Sequence, residues 1–325
     1  MKIVLFIIIF VLLILGIYFG YYLINPSHKG KTILNDLNIP HPTVIAHRGS
    51  STIAPESTRS AYIKAVQLGV DYIEADIHRT SDGKIVVLHD NTLKRTSNIE
   101  NIYPDRVNKH ISNFTYEELL KLDFGSWFNK KYPKKADESF MGLDIIRLEE
   151  LIEIVEQSKQ STGIVLDIKD IRYYPNIEDD IIKILKKKGW YKDYEDNIDS
   201  SDHTSKVLIF SFNLNTLKKF KDLAPNIPRV LLLSNNMMDW QKWDRWLEAA
   251  DGNVNGLGIK GFISWPWHVA AAHKRDLFVY PYVINEIWQL QILAQIETSG
   301  YITNRPHRVL EFLEKLPTLI ELEIE

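Results

Sequence analysis

The chain has 325 residues and no cysteine. That absence excludes disulfides and thiolate metal sites, and it confines any bound metal to oxygen or imidazole ligands. Charge of one sign is also missing. The 39 Lys and Arg nearly balance the 42 Asp and Glu, and a formal net charge of −3 gives no electrostatic footprint for nucleic acid. There is no internal repeat, no low-complexity tract, and no feature that marks a protein partner. What remains, 45% hydrophobic and 25% charged residues, is the composition of a globular protein.

Long apolar runs are absent too, except at the start. Residues 3–24 are apolar apart from small residues and tyrosines, long enough to cross a bilayer as a helix. A cleaved signal peptide would have a shorter apolar core ending in a small-x-small site. Here Gly20-Tyr21-Tyr22-Leu23-Ile24 follows instead, with tyrosines suited to a membrane interface. The reading is a retained single-pass anchor over residues 1–25. Lys2 precedes the span while Lys29 and Lys31 follow it, so the flanking charge leans against export of what comes after. Residues 26–42, with Pro26, Gly30, Pro40 and His41, read as a polar, partly flexible linker.

The stretch over residues 43–90 carries the chemistry. Three short apolar runs, residues 44–46, 72–77 and 85–88, deliver His47 and Arg48, Glu74 and Asp76, then His89 and Asp90. An unpaired charge in an apolar strand is costly. Residues two apart in a strand share a face, so Glu74 and Asp76 aim both carboxylates one way. A bound cation is the simplest way to keep both ionised, and the pattern predicts a metal-assisted hydrolase site.

Residues 43–310 alternate strand-like and helix-like stretches, as in an α/β fold with a largely parallel sheet. Further strand candidates are residues 163–168, 207–210, 229–233, 256–259, 277–284 and 300–303. That makes nine for an expected eight-stranded (β/α)8 barrel, so one is surplus. Ser81-Asp82-Gly83 reads as a hairpin turn before residues 85–88. The rhythm lapses over residues 91–144, an excursion of the kind that carries a lid or specificity element. In such a barrel His47, Arg48, Glu74, Asp76, His89, Asp167 and Lys169 all fall at or near strand C-termini, at one mouth.

Together the residues resemble the glycerophosphodiester phosphodiesterase family. His47-Arg48-Gly49, Ala54-Pro55-Glu56, Glu74-x-Asp76, Thr80-x-Asp82-Gly83, His89-Asp90 and Arg95-Thr96 carry the likeness. It continues through Gly125-Ser126-Trp127-Phe128, Leu148-Glu149-Glu150, Asp167-x-Lys169, Ser211-Phe212 and Ile302-Thr303-Asn304-x-Pro306. The resemblance implies a TIM barrel of the phospholipase C-like phosphodiesterase type over residues 43–325. It implies hydrolysis of glycerophosphodiesters to an alcohol and glycerol 3-phosphate, through a cyclic phosphate. It places metal ligands on Glu74, Asp76 and Asp167 for one divalent cation, Mg²⁺ or Ca²⁺, and an acid–base pair on His47 and His89. Arg48 and Lys169 match the phosphate-holding residues. Glu56 is a candidate to support the site by orienting Arg48, to touch the metal, or merely to start the helix that follows from its N-terminal side.

Four departures bear on substrate. Ser57 stands where the family usually has Asn, and Asp167 where Glu is commoner. Ile146-Arg147 replaces Pro-Thr, and Tyr282-Val283-Ile284-Asn285 replaces Trp-Thr-Val-Asn. The Asp-x-Lys variant resembles membrane-anchored members that act on glycerophosphoinositol or lysophospholipids, and the resemblance favours an extracytoplasmic barrel. Rival expectations are a lysophospholipase D with the same site, and an inactive membrane-tethered barrel that binds lipid headgroups. Trp127, Phe128, Trp265, Trp267 and Tyr282 are candidates for a leaving-group pocket or for plain core packing. Trp240, Trp243 and Trp246 are candidates for a membrane interface.

Overall fold

The computed structural model describes residues 2–158, 160–169, 171–192, 205–237, 242–261 and 264–316. Among the described residues nine strands run as β1 Thr43–His47, β2 Tyr72–Arg79, β3 Ile85–Val87, β4 Gly163–Ile168, β5 Val207–Ser211, β6 Arg229–Leu233, β7 Gly256–Lys260, β8 Phe278–Tyr282 and β9 Gly300–Thr303. Eight of them pair in parallel in the order β8-β7-β6-β5-β4-β2-β1-β9. The two ends approach each other, with Ser299 N–H donating to Val279 O at 2.9 Å and Ile284 N–H to Ile302 O at 2.8 Å. The result is a nearly closed parallel barrel.

The surplus ninth strand is β3. It folds back antiparallel on β2, pairing Val87 with Ile77 and Ile85 with Arg79. His89 therefore does not sit at the C-terminus of a barrel strand, as expected. β2 runs past the barrel rim, and the hairpin brings the chain back down until Leu88 N–H donates to Asp76 O at 3.0 Å.

Strand alternation divides the apolar residues between two layers. Ile45, Tyr72, Val165, Leu208, Phe210, Val230, Leu232, Phe278, Tyr280 and Ile302 form the barrel interior. Their chain neighbours, such as Val44, Ala46, Ile73 and Ala75, pack outward against the helices. β7 gives its inward space away: a Cβ on Gly256 would lie 2.3 Å from the Phe278 ring, and one on Gly258 2.3 Å from Leu232.

The segment expected to be a polar, partly flexible linker contains a helix. Residues Lys29–Asp36 form a helix, α2, and Leu34 and Ile39 enter the interior cluster beneath β1 and β2. Gly30 is buried because a Cβ there would meet His273 Nε2 and Ser299 Oγ, each at 2.9 Å. Upstream, α1 spans Lys2–Ile24. Its stretch Val4–Ile24 has mean hydropathy 2.8, and its most apolar window is entirely unburied.

The excursion over residues 91–144 consists of short α and 3₁₀ turns. Phe128 and Phe140 are buried with Ala54 and Ala61 in a small satellite core, with Trp127 against it. For Phe128 the packing role is the one observed, since it has no exposure from which to line a pocket.

Candidate active site

Parity fixes what faces the mouth. Tyr72 points into the barrel, so Glu74 and Asp76 do as well; Val165 does, so Asp167 follows; Ile45 does, so His47 follows. Register then brings these residues level. His47 pairs with Glu74 across β1 and β2, and Asp76 pairs with Asp167 across β2 and β4. One oxygen from each of Glu74, Asp76 and Asp167 lies within 4.8 Å of the others, and all three residues are buried.

Three buried acids this close repel. Glu74 is pushed well above the ordinary carboxylate range by burial and then by Asp76 and Asp167. Asp76 escapes that fate: against the burial that would raise it, Lys169, Arg48 and the two imidazoles of His89 and His47 hold it low. Lys169 Nζ lies 2.7 Å from Asp76 Oδ1 and 2.5 Å from Asp167 Oδ2. Burial would lower that lysine, but Asp167, Asp76 and Glu74 raise it, so it stays charged. Arg48 Nε is 3.2 Å from Asp76 Oδ2. Even so, both Asp76 oxygens and Asp167 Oδ1 are buried without a well-directed hydrogen bond. Hard oxygen donors left over in this way fit a divalent cation.

The turn after β1 is built for this cluster. Arg48 and Gly49 both adopt left-handed backbone, φ 58° and 79°, which turns the Arg48 N–H onto Glu74 Oε2 at 2.9 Å. Gly49 admits no side chain, because a Cβ would meet Ala61 C at 2.6 Å. Glu56 neither joins the carboxylate trio nor caps the next helix, which begins at Arg59 with Thr58 as its cap. Its Oε1 accepts from Arg48 Nη1 at 2.8 Å, and Arg95 donates to both of its oxygens at 2.8 Å. Burial would raise Glu56, yet Arg95 and Arg48 hold it low, so it stays ionised and fixes Arg48.

The two histidines have unlike partners. His47 Nδ1 lies 2.7 Å from Asn304 Oδ1. With that amide oxygen as the acceptor, Nδ1 carries the proton and Nε2 the free lone pair. Burial and then Arg48 push His47 down to about 3, leaving a neutral ring at physiological pH. His89 Nδ1 lies 2.6 Å from Asp90 Oδ1, and Arg95 Nε donates to Asp90 Oδ2 at 2.6 Å. Asp90 is held low, against its partial burial, by those contacts with His89 and Arg95. Through these contacts His47, Arg48, Glu56, Glu74, Asp76, His89, Asp167 and Lys169 are linked at one rim.

Asn304, and the orienting work of Asp90 and Arg95, were not assigned from sequence. Asn304 lies 257 positions from His47, and only barrel closure brings them together. The signal available was its place just past β9, where an inward residue meets the mouth.

Residues 47–308 match the model of the glycerophosphoryl diester phosphodiesterase family. The chain is 31% identical over 273 residues to a glycerophosphodiester phosphodiesterase of Caldanaerobacter subterraneus subsp. tengcongensis, covering 84% of this chain and 98% of that one. It is 29% identical over 283 residues to a glycerophosphodiester phosphodiesterase of Bacillus subtilis, covering 87% and 89% respectively. Among solved structures, an Oleispira antarctica phosphodiesterase in complex with its product sn-glycerol-3-phosphate superposes with a TM-score of 0.67 at 25% identity, covering 84% of this chain and 97% of that one. Site, barrel and sequence agree that this chain belongs to the glycerophosphoryl diester phosphodiesterase family and is a glycerophosphodiester phosphodiesterase.

Proposed function

We propose that the enzyme cleaves glycerophosphodiesters to an alcohol and glycerol 3-phosphate with one divalent cation, Mg²⁺ or Ca²⁺, held by Glu74, Asp76 and Asp167. The observation that carries this reading is the convergence of those three buried carboxylates, within 4.8 Å of one another, beneath His47 and Arg48. A bound cation would offset the phosphodiester's negative charge and make a nearby hydroxyl more acidic. Arg48 and Lys169, already turned toward the carboxylates, supply further positive charge for the phosphate oxygens, and Glu56 holds Arg48 in place.

Neutral His47, with its lone pair on Nε2, is suited to take the proton from the glycerol hydroxyl adjacent to the phosphate. That oxygen bonds to phosphorus, and the bond from phosphorus to the alcohol oxygen breaks. His89 faces a carboxylate able to balance a doubly protonated ring, and it gives its Nε2 proton to the departing oxygen. Water then opens the cyclic phosphate with the roles reversed: His89 takes a proton from water, and His47 returns one to the glycerol oxygen.

Residues 1–25 are proposed as a retained single-pass anchor, with residues 26–42 connecting it to the barrel over residues 43–325. The apolar α1 favours a second substrate class, lysophospholipids, cleaved by the same site. The test is a product assay on glycerophosphocholine, glycerophosphoinositol and lysophosphatidylcholine with chelator, with Mg²⁺ or with Ca²⁺. Cleavage should stop in excess chelator, return with a divalent ion, and be lost in His47→Ala and His89→Ala. Full activity in chelator would remove the metal from the proposal, and equal activity in the histidine variants would remove the acid–base pair.

A further inference from the structure

We infer that the mouth of the barrel rests on the bilayer that α1 crosses, through a rim patch of Trp265, Trp267, Ile287 and Trp288 seated at the lipid headgroup–acyl boundary. The inference rests on the proposed reading of α1 as a retained anchor, and it adds which end of the barrel meets the membrane.

The direction follows from where α1 docks. Phe19 packs against Trp265 with ring centroids 6.4 Å apart, and Tyr18 against Trp267 at 5.4 Å. Eight residues later, Ser27 O accepts from His273 Nδ1 at 3.1 Å. Trp265 caps the start of the helix Pro266–His273, and His273 ends it. α1 therefore runs alongside that helix in the same direction. A helix that follows a barrel strand starts at the mouth and ends at the floor, and this one follows β7. Extended backward from Phe19, the undocked part of α1 leaves the barrel past the mouth, on the side of the active site.

Length then sets the depth. Residues 4–17 are exposed, while Phe19, Tyr22 and Leu23 are partly buried. α1 begins at Lys2, so at ~1.5 Å per residue its undocked part, residues 2–17, covers about 24 Å. A hydrocarbon core is roughly 30 Å thick, so the free helix falls short by about 6 Å. The docked part, Tyr18 onward, has to supply the difference, and that draws the rim beside it into the leaflet. Interfacial apolar faces commonly sit roughly 5–10 Å deep, which matches the shortfall.

The rim has the chemistry for that position. Trp265 and Trp267 stack at 5.2 Å with their planes 4° apart, and Trp265 is 43% exposed. Ile287 and Trp288, at the mouth end of the helix that follows β8, are 39% and 53% exposed. Between them and Phe19 lies a groove of about 240 Å³ whose walls include Pro266, Ile292 and Leu293. Large apolar side chains grouped around a membrane-crossing helix are costly in water and stable at an interface, where tryptophan concentrates.

The chain's lack of cysteine permits the test directly. Single substitutions Ile287→Cys, Trp288→Cys, Leu12→Cys, and Lys206→Cys and Asp251→Cys at the barrel floor, each carry a nitroxide in full-length protein in phosphatidylcholine vesicles. Collision with oxygen, which enters lipid, is compared with collision with a water-soluble nickel chelate. Labels at 287 and 288 should show an oxygen-to-nickel ratio several-fold above those at 206 and 251. If Leu12 lies in lipid while 287 and 288 match the floor sites, this inference fails and the anchor stands. If Leu12 itself lies in water, the anchor reading falls and the inference falls with it.

Discussion

At the scale of single residues, the candidate site's carboxylates and imidazoles were legible in the chain because each sits in or just after a strand, where charge is costly. Their supporting partners were not. Asn304 is an ordinary amide until closure of the barrel sets its Oδ1 2.7 Å from His47 Nδ1. With that contact removed, His47 is free to rotate or to place its proton on Nε2, where it cannot act as a base. Asn304→Leu is therefore expected to lower kcat on glycerophosphocholine by about 10–100-fold, the usual cost of losing an orienting partner, with little change in KM. Asn304→Asp keeps an acceptor at the same point and should retain far more activity. A loss of equal size in both variants would mean that Asn304 serves packing rather than the tautomer. Asp90→Asn tests the other ring in the same way, because an amide there accepts Nδ1–H without supplying a charge to balance a protonated His89.

Individual elements were legible where a period of two or of 3.6 was strong, and obscure where order comes from tertiary contact. The nine strand candidates were all strands. Sequence alone did not separate the hairpin strand β3 from the barrel strands, because a buried apolar run looks the same in either place. α2 was read as linker since residues 29–36 offer few apolar side chains; Leu34 and the missing side chain of Gly30 fix it under the barrel floor. That docking has a pH signature. His273, against which Gly30 and Ser27 pack, is pushed down to about 4 chiefly by burial. Its folded value lies below the unfolded one near 6.5, so the unfolded chain binds the proton more readily. The stability this group contributes is present above pH 6.5 and is lost as pH falls toward 4. At about 1.4 kcal/mol per unit, the change is on the order of 3 kcal/mol. Denaturant midpoints of the wild type should fall across that window, and those of His273→Gln should fall less steeply. Parallel curves for the two proteins would place the acid sensitivity elsewhere.

Over the whole molecule, the barrel was legible because eight strand–helix units repeat one pattern, whereas the docking of α1 beside the mouth depends on contacts no local pattern encodes. The same global view shows what the active site costs the fold. Three carboxylates are buried together, Glu74 is driven far above its ordinary range, and Lys169 and Arg48 offset part of the repulsion. A ligand that binds the folded state alone stabilises it by RT ln(1 + [L]/Kd), about 2.7 kcal/mol at a hundredfold excess over Kd. Mg²⁺ or Ca²⁺ should therefore raise Tm by several degrees over chelator, the cation adding positive charge that the two basic side chains supply only in part. Asp167→Asn removes one hard donor and one repelling charge at once. Its Tm in chelator should match or exceed that of the wild type, since a buried like charge has been deleted, while its response to divalent ions should shrink. The pairing of those two outcomes separates a cation site from a structural ion pair. If the trio were only a structural ion pair with Lys169, Asp167→Asn would lower Tm with or without cation, and divalent ions would leave the wild type unmoved.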